Sequence, residues 1–152
     1  MPIFMKLQGI DGESTVAGHE GEIDVLSLAW GVTNASSGAT GGGAGTGRAS
    51  FQDLHFQTTL SKAGPNLMLA CATGRHLASA VLTFTRGGSS PFTYLVIRLT
   101  DCLITWYESA VGEDAAPTDD VGLTFSTIDM TYTVQNADGS AGETVETLFD
   151  LR

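Results

Sequence analysis

Positive charge is scarce in this chain. Seven Lys and Arg stand against 17 Asp and Glu, a net charge of −10. Nucleic acid and anionic membrane both need a basic face, so neither is expected as a main partner. Cysteine is scarce too. Cys71 and Cys102 show no metal or redox spacing and read as buried free thiols in a protein made in the cytoplasm. His19, His55 and His76 lie too far apart for a paired-histidine metal motif, so no metal or cofactor is expected. No apolar run reaches the roughly 20 residues of a membrane-spanning helix. The opening Met1-Pro2-Ile3-Phe4-Met5-Lys6 lacks the basic-then-apolar pattern of a secretory leader, so Asn34-Ala35-Ser36 is read as a chance sequon. Charged residues make up 16% of the chain and hydrophobic ones 42%. Its 152 residues can bury one core as a single domain over 1–152. The surface must then be rich in Ser, Thr and Gly, which suits packing against copies of itself.

Glycine is abundant, with 19 in all. They concentrate in 31–47, a stretch without charge that contains Gly31, Val32, Thr33, Asn34, Ser36, Ser37, Gly41, Gly42, Gly43, Ala44 and Gly45. A loop this long is uncommon inside a compact domain and is usually functional or disordered. A phosphate cradle fails on spacing, because no G-x-G-x-x-G occurs and Arg48 stands where a P-loop needs Lys-Ser/Thr. It fails on context as well, because a strand follows where a helix should begin.

Period-two alternation predicts strands through most of the chain. Ile3, Met5 and Leu7 mark the first. In the second, Ile23 and Val25 share one parity and Leu26, Leu28 and Trp30 the other, a phase change that predicts a bulge. The third places Leu54, Phe56, Thr58 and Leu60 on one face. The period then changes over 61–74, where Pro65 suits a first helical turn, Leu67, Ala70 and Cys71 form one stripe, and Gly74 is a C-terminal cap. Arg75 and His76 suit that helix end. Strand character returns at Ala80, Leu82 and Phe84, then runs from Phe92 to Tyr107 as one bending strand or two. The acidic stretch 112–120 reads as a solvated loop. Val121, Leu123 and Phe125 precede a second phase change near Ser126. A turn at 136–139 and a short edge strand at 145–151 complete the chain. The sum is a mainly β protein, an antiparallel barrel of about seven or eight strands with one short flanking helix.

Catalytic constellations are not found. Asp53, Asp101 and Asp129 read as partners for Arg48, Arg86 or Arg98 rather than as an acid–base pair. Glu113, Asp114, Asp119 and Asp120 lack the spacing and glycine of a calcium loop. An assembly or binding role is favoured over an enzyme.

The order of landmarks resembles the haemolysin-coregulated protein (Hcp) family of the type VI secretion system. Phe4-Met5-Lys6-Leu7-Gln8-Gly9-Ile10 leads to Gly12-Glu13-Ser14, then to Glu22-Ile23-Asp24-Val25-Leu26-Ser27 ending at Trp30-Gly31. The glycine loop, Gln52-Asp53-Leu54-His55-Phe56 and Pro65-Asn66-Leu67-Met68-Leu69-Ala70-Cys71 follow in that order. The likeness covers nearly the whole chain and is least after Asn136. It implies a β-barrel, six copies in a ring, and rings stacked into a tube that is not an enzyme. It implies that the 31–47 loop reaches the next ring. The implied partners are further copies of the chain, a contractile sheath, a spike protein at the tip, and effector cargo in the lumen, with no membrane insertion. The implied route is synthesis in the bacterial cytoplasm and secretion by the machine without a signal peptide. The rival readings are a tail-tube protein of another contractile system or phage-like particle, and a small-ligand-binding barrel.

Overall fold

Alternating apolar residues set the strands, and the places where alternation fails set their breaks. The computed structural model describes residues 2–35, 48–87 and 90–152. The elements are β1 (Ile3–Leu7), β2 (Ile23–Val25), β3 (Ser27–Ala29), β4 (Val32–Ala35), β5 (Arg48–Phe51), β6 (Leu54–Thr59), α1 (Ala63–Thr73), β7 (His76–Arg86), β8 (Phe92–Gly112), β9 (Ala115–Thr124), β10 (Thr127–Gln135) and β11 (Ala141–Asp150). All strand pairs are antiparallel.

The main ladder runs β2-β1-β7-β8-β9-β6-β3, with β10 on β8 and β11 on β10. The mainly β, antiparallel class with one short helix is as expected, but among the described residues strand pairing does not close the sheet into a barrel, and it stays an open ladder. Its two ends, β2 and β3, are consecutive pieces of one chain segment, broken at the expected phase change. Leu26 turns outward there while its N–H donates to the Gln57 carbonyl at 2.7 Å. The Thr58 hydroxyl donates to the Asp24 carbonyl at 2.6 Å. The fold thus wraps round, joined at this line by chain continuity and two hydrogen bonds instead of a ladder.

The long run after Pro91 is one strand. β8 carries 21 residues and bends at Asp101, whose φ of 52° lies in the left-handed region that side chains rarely enter. Its first half pairs with β7 and β10, and its second half pairs with β9. The acidic stretch read as a loop is mostly β9, and only the Glu113–Asp114 turn remains of it. Pro117 misled that reading. It sits where the β8–β9 register shifts between Ala110 and Gly112, so its missing N–H costs no ladder bond, and its carbonyl accepts from the Leu60 N–H at 3.0 Å. Breaks also raise the strand count to 11 among the described residues. Leu60 falls beyond β6 and is 41% exposed, off the face it was expected to share.

Helix α1 follows its pattern. Leu67 and Ala70 are buried and Cys71 half-buried, and Gly74 caps the end at φ 66°. A helix of 11 residues is marginal alone, so burial against β8 must hold it. Its start has no cap from Lys62 itself. Instead the Ala63 N–H donates to Ser61 Oγ at 3.1 Å, and the Lys62 N–H donates to Glu13 Oε2 at 2.8 Å. His76 does not serve the helix end; it opens β7.

Those contacts give the Gly-Glu-Ser motif a physical content. A Cβ on Gly12 would stand 2.5 Å from the Glu22 carbonyl oxygen, so the backbones meet only because Gly12 has none. Glu13 brings negative charge to the positive end of α1. Ser14, buried, accepts from the Val16 N–H at 3.2 Å. The segment 11–22 is thereby held over β1, where His19 stacks on Phe4 at 4.2 Å and contacts Glu22 at 3.1 Å.

Candidate assembly surfaces

Three surfaces carry exposed chemistry: an arm, a strand edge and a sheet face. The arm begins inside the expected loop. Val32–Ala35 pairs with Arg48–Phe51, so the loop's first residues are strand, driven by the β-branched Val32 and Thr33 opposite Phe51 and Ser50. This corrects the loop's boundaries. Gly31, Val32, Thr33 and Asn34 lie on the described arm, all of β4 being exposed. Ser36, Ser37, Gly41, Gly42, Gly43, Ala44 and Gly45 lie outside the described residues. The arm's root is fixed. The Gln52 N–H donates to the Gly31 carbonyl at 2.9 Å, and Phe51 meets Phe125 edge-on at 5.9 Å and Phe149 at 5.3 Å.

Phe149 belongs to the strand edge. Among the described residues β11 is an outermost strand and pairs only with β10. It runs from Ala141, longer than the edge strand expected. Val145, Leu148 and Phe149 are 52%, 68% and 47% exposed. An exposed edge with large apolar side chains is a template for pairing with another chain. Between edge and arm lies a cleft of about 520 Å3 that includes Arg48, Phe149 and Arg152. Arg152 reaches Asp101 at 3.2 Å, and His76 reaches the same carboxylate at 3.0 Å. Asp101 therefore pairs with Arg152, not with the arginines expected. Asp53 accepts from the Thr105 hydroxyl at 2.7 Å. Asp129 Oδ1 is buried. The three strand aspartates are not brought together as an acid–base pair.

The sheet face lies outward on β3, β6, β9 and the second half of β8. Register places Ala29, His55, Gly122 and Trp106 in one row and Ser27, Gln57, Asp120 and Glu108 in the next. All of these but Gly122, with Leu28 and Phe56, line a groove of about 460 Å3. His55 faces outward here, opposite Leu54 and Phe56, as its parity predicts. Alternation also separates the acidic residues once weighed for calcium: Asp120 faces out, and Asp119 is fully buried. Asp119 lies near Gly64, in the first turn of α1, where the helix dipole favours a carboxylate. Burial, with Asp119 alongside, pushes the Tyr107 hydroxyl above its ordinary range. No group of three or more metal-ligating side chains occurs among the described residues. Both cysteines are free thiols. The β8–β9 groove was missed by the sequence reading because it depends on cross-strand register. Its one local signal was Trp106 and Glu108 at alternate positions of a strand.

Solved structures set the class first. A structure titled as a type six secretion system protein superposes with a TM-score of 0.91 at 24% identity, over 99% of this chain and 95% of that one, which speaks for the fold alone. Hcp1 from Salmonella typhimurium superposes with a TM-score of 0.83 at 33% identity, over 99% of this chain and 94% of that one. A family model described as "Type VI secretion system effector, Hcp" matches residues 4–132. Protein hcp1 of Pseudomonas aeruginosa is 38% identical over 141 residues, covering 91% of this chain and 86% of its own. The chain belongs to the Hcp family. It is a component of the type VI secretion system of the tube and effector type. β11 lies beyond the family model's span but within the solved folds.

Proposed function

We propose that the chain is the building block of the type VI inner tube. Six copies form a ring, rings stack, a contractile sheath propels the column, a spike protein tips it, and effector cargo rides in the lumen. It acts by assembly and not by catalysis, and it leaves the cell through the machine. One observation carries the reading beyond family membership. Among the described residues β11 offers an unpaired edge with Val145, Leu148 and Phe149 exposed, and β3, one end of the main ladder, presents Ser27, Leu28 and Ala29 instead. A closed ring needs two unlike complementary patches on each subunit. In this reading the 31–47 arm bridges stacked rings. Each contact is weak, but six act together and the sum is strong.

The test is the size and shape of the purified protein. A wide-holed ring in negative-stain electron microscopy is expected; a monomer with a closed ligand pocket would sink the proposal. Leu148→Lys should break rings into folded monomers, read as a drop in native mass with an unchanged circular-dichroism spectrum. Replacing Gly41, Gly42 and Gly43 by bulky residues should leave rings intact and impair tube growth and secretion. Loss of the ring in that variant would assign the arm to packing within the ring. A tail tube of another contractile particle would share these surfaces, and the neighbouring sheath gene separates the two.

A further inference from the structure

Glu108 and Asp120 stand directly opposite each other in the β8–β9 register. Two like charges facing across a ladder destabilise a sheet. Neither has an ion-pair partner among the described residues. A local rule broken without visible compensation marks a functional position. Beside them Gly122 lies buried beneath two of the groove's walls. A Cβ on Gly122 would lie 2.9 Å from Trp106 Cβ and 3.3 Å from His55 Cε1, so glycine here lets indole and imidazole close over bare backbone. Trp106 stays 49% exposed at the groove wall, with Gln57 in the same row as the acids.

We propose that this groove holds a basic side chain, arginine or lysine, of a separate protein segment. The indole face attracts the cation, and the two carboxylates neutralise it, with bidentate geometry favouring arginine. Such a guest relieves the Glu108–Asp120 repulsion, which is the charge complementarity that selects it. A metal ion fits less well, because no third ligating side chain joins the pair. A second copy is a poor guest. Every copy carries a net charge of −10 with only seven Lys and Arg, so copies repel at an acidic groove, and two of the seven, Arg152 and Arg86, are already engaged, by Asp101 and Asp150 and by Gln135 and Tyr94. The inference rests on the reading of the chain as a carrier and names the chemistry by which it grips cargo.

The experiment titrates the assembled wild-type protein with the peptide acetyl-Gly-Arg-Gly-Arg-Gly-amide by calorimetry at low salt. Its citrulline twin, equal in shape but uncharged, is the control. Native mass is recorded for every sample. Wild type is expected to bind the arginine peptide, to bind the citrulline peptide at least tenfold more weakly, and to lose affinity as salt rises. The Glu108→Gln/Asp120→Asn double variant should weaken arginine binding at least tenfold while keeping native mass. It should also fold at least as well as wild type, since it removes a repulsion. Gly122→Ala should weaken binding too, and the double variant decides if that protein fails to fold. Equal binding of the two peptides, or equal binding by wild type and the double variant, overturns the proposal. A change of native mass in the double variant also overturns it, by assigning the acids to contact between copies. A wild-type monomer would sink the tube reading instead, whatever the peptide does.

Discussion

Cys102 lies just past the bend of β8 without exposed surface. Burial, aided by the neighbouring Asp101 charge, pushes its thiol from 9.0 up to about 12. Between those values the folded chain keeps a proton that the unfolded chain has lost. Rising pH therefore favours unfolding. The stability is fully present below pH 9.0 and is lost toward about 12, with a slope of up to about 1.4 kcal/mol per pH unit. Tyr107, also raised, acts in the same direction from 10.0 upward. Denaturant midpoints should fall with pH across this window, and more shallowly in Cys102→Ala. At neutral pH an alkylating reagent should label half-buried Cys71 and spare Cys102. Gly12→Ala should cost about 1–3 kcal/mol, because its Cβ meets backbone and not a movable side chain. Chemical denaturation reads that loss. That Gly12 must be glycine is not visible in a turn-like sequence; it follows from Glu22, ten positions on, passing close by.

At the scale of elements, α1 shows what local sequence can carry. Pro65, Leu67, Ala70 and Gly74 place its body, face and end by rules that reach only four residues along the chain. Gly74→Ala should cost about 1 kcal/mol, since a left-handed cap penalises a side chain, and should fray the last turn in amide exchange. Glu13→Ala should cost about 0.5–2 kcal/mol by uncapping the first turn from a distance. Its role was hidden because donor and acceptor lie far apart in sequence. β9 shows the opposite case. Charge and a proline argued for a loop, yet the strand alternation at Val121 and Leu123 extends back to Thr118 with buried Asp119 on the inward face. Pairing on both edges, with β6 and β8, overrode composition. The phase changes at Leu26 and Ser126 were legible and pointed to bulges, but the structure makes them breaks between separate strands, and their consequence for sheet order was not legible. The groove was illegible for the same reason: Glu108, Asp120 and Gly122 become neighbours only when register is known.

For the whole molecule, the open ladder matters most. Its circumference is completed at Leu26 by a peptide segment and two hydrogen bonds, not by paired strands. A backbone cut between Val25 and Ser27 would turn the wrapped sheet into a strip with two loose margins. A cut at Asp138, in the β10–β11 turn, would leave the girth untouched. The first nick is expected to unfold the protein at ordinary temperature, and the second only to loosen β11, as thermal melts of permuted chains would read. The joint at Leu26 therefore works as a buckle. A cylinder fastened by one buckle can be threaded shut last, after every strand is in place, and it is the line along which the wall gives way first when pulled.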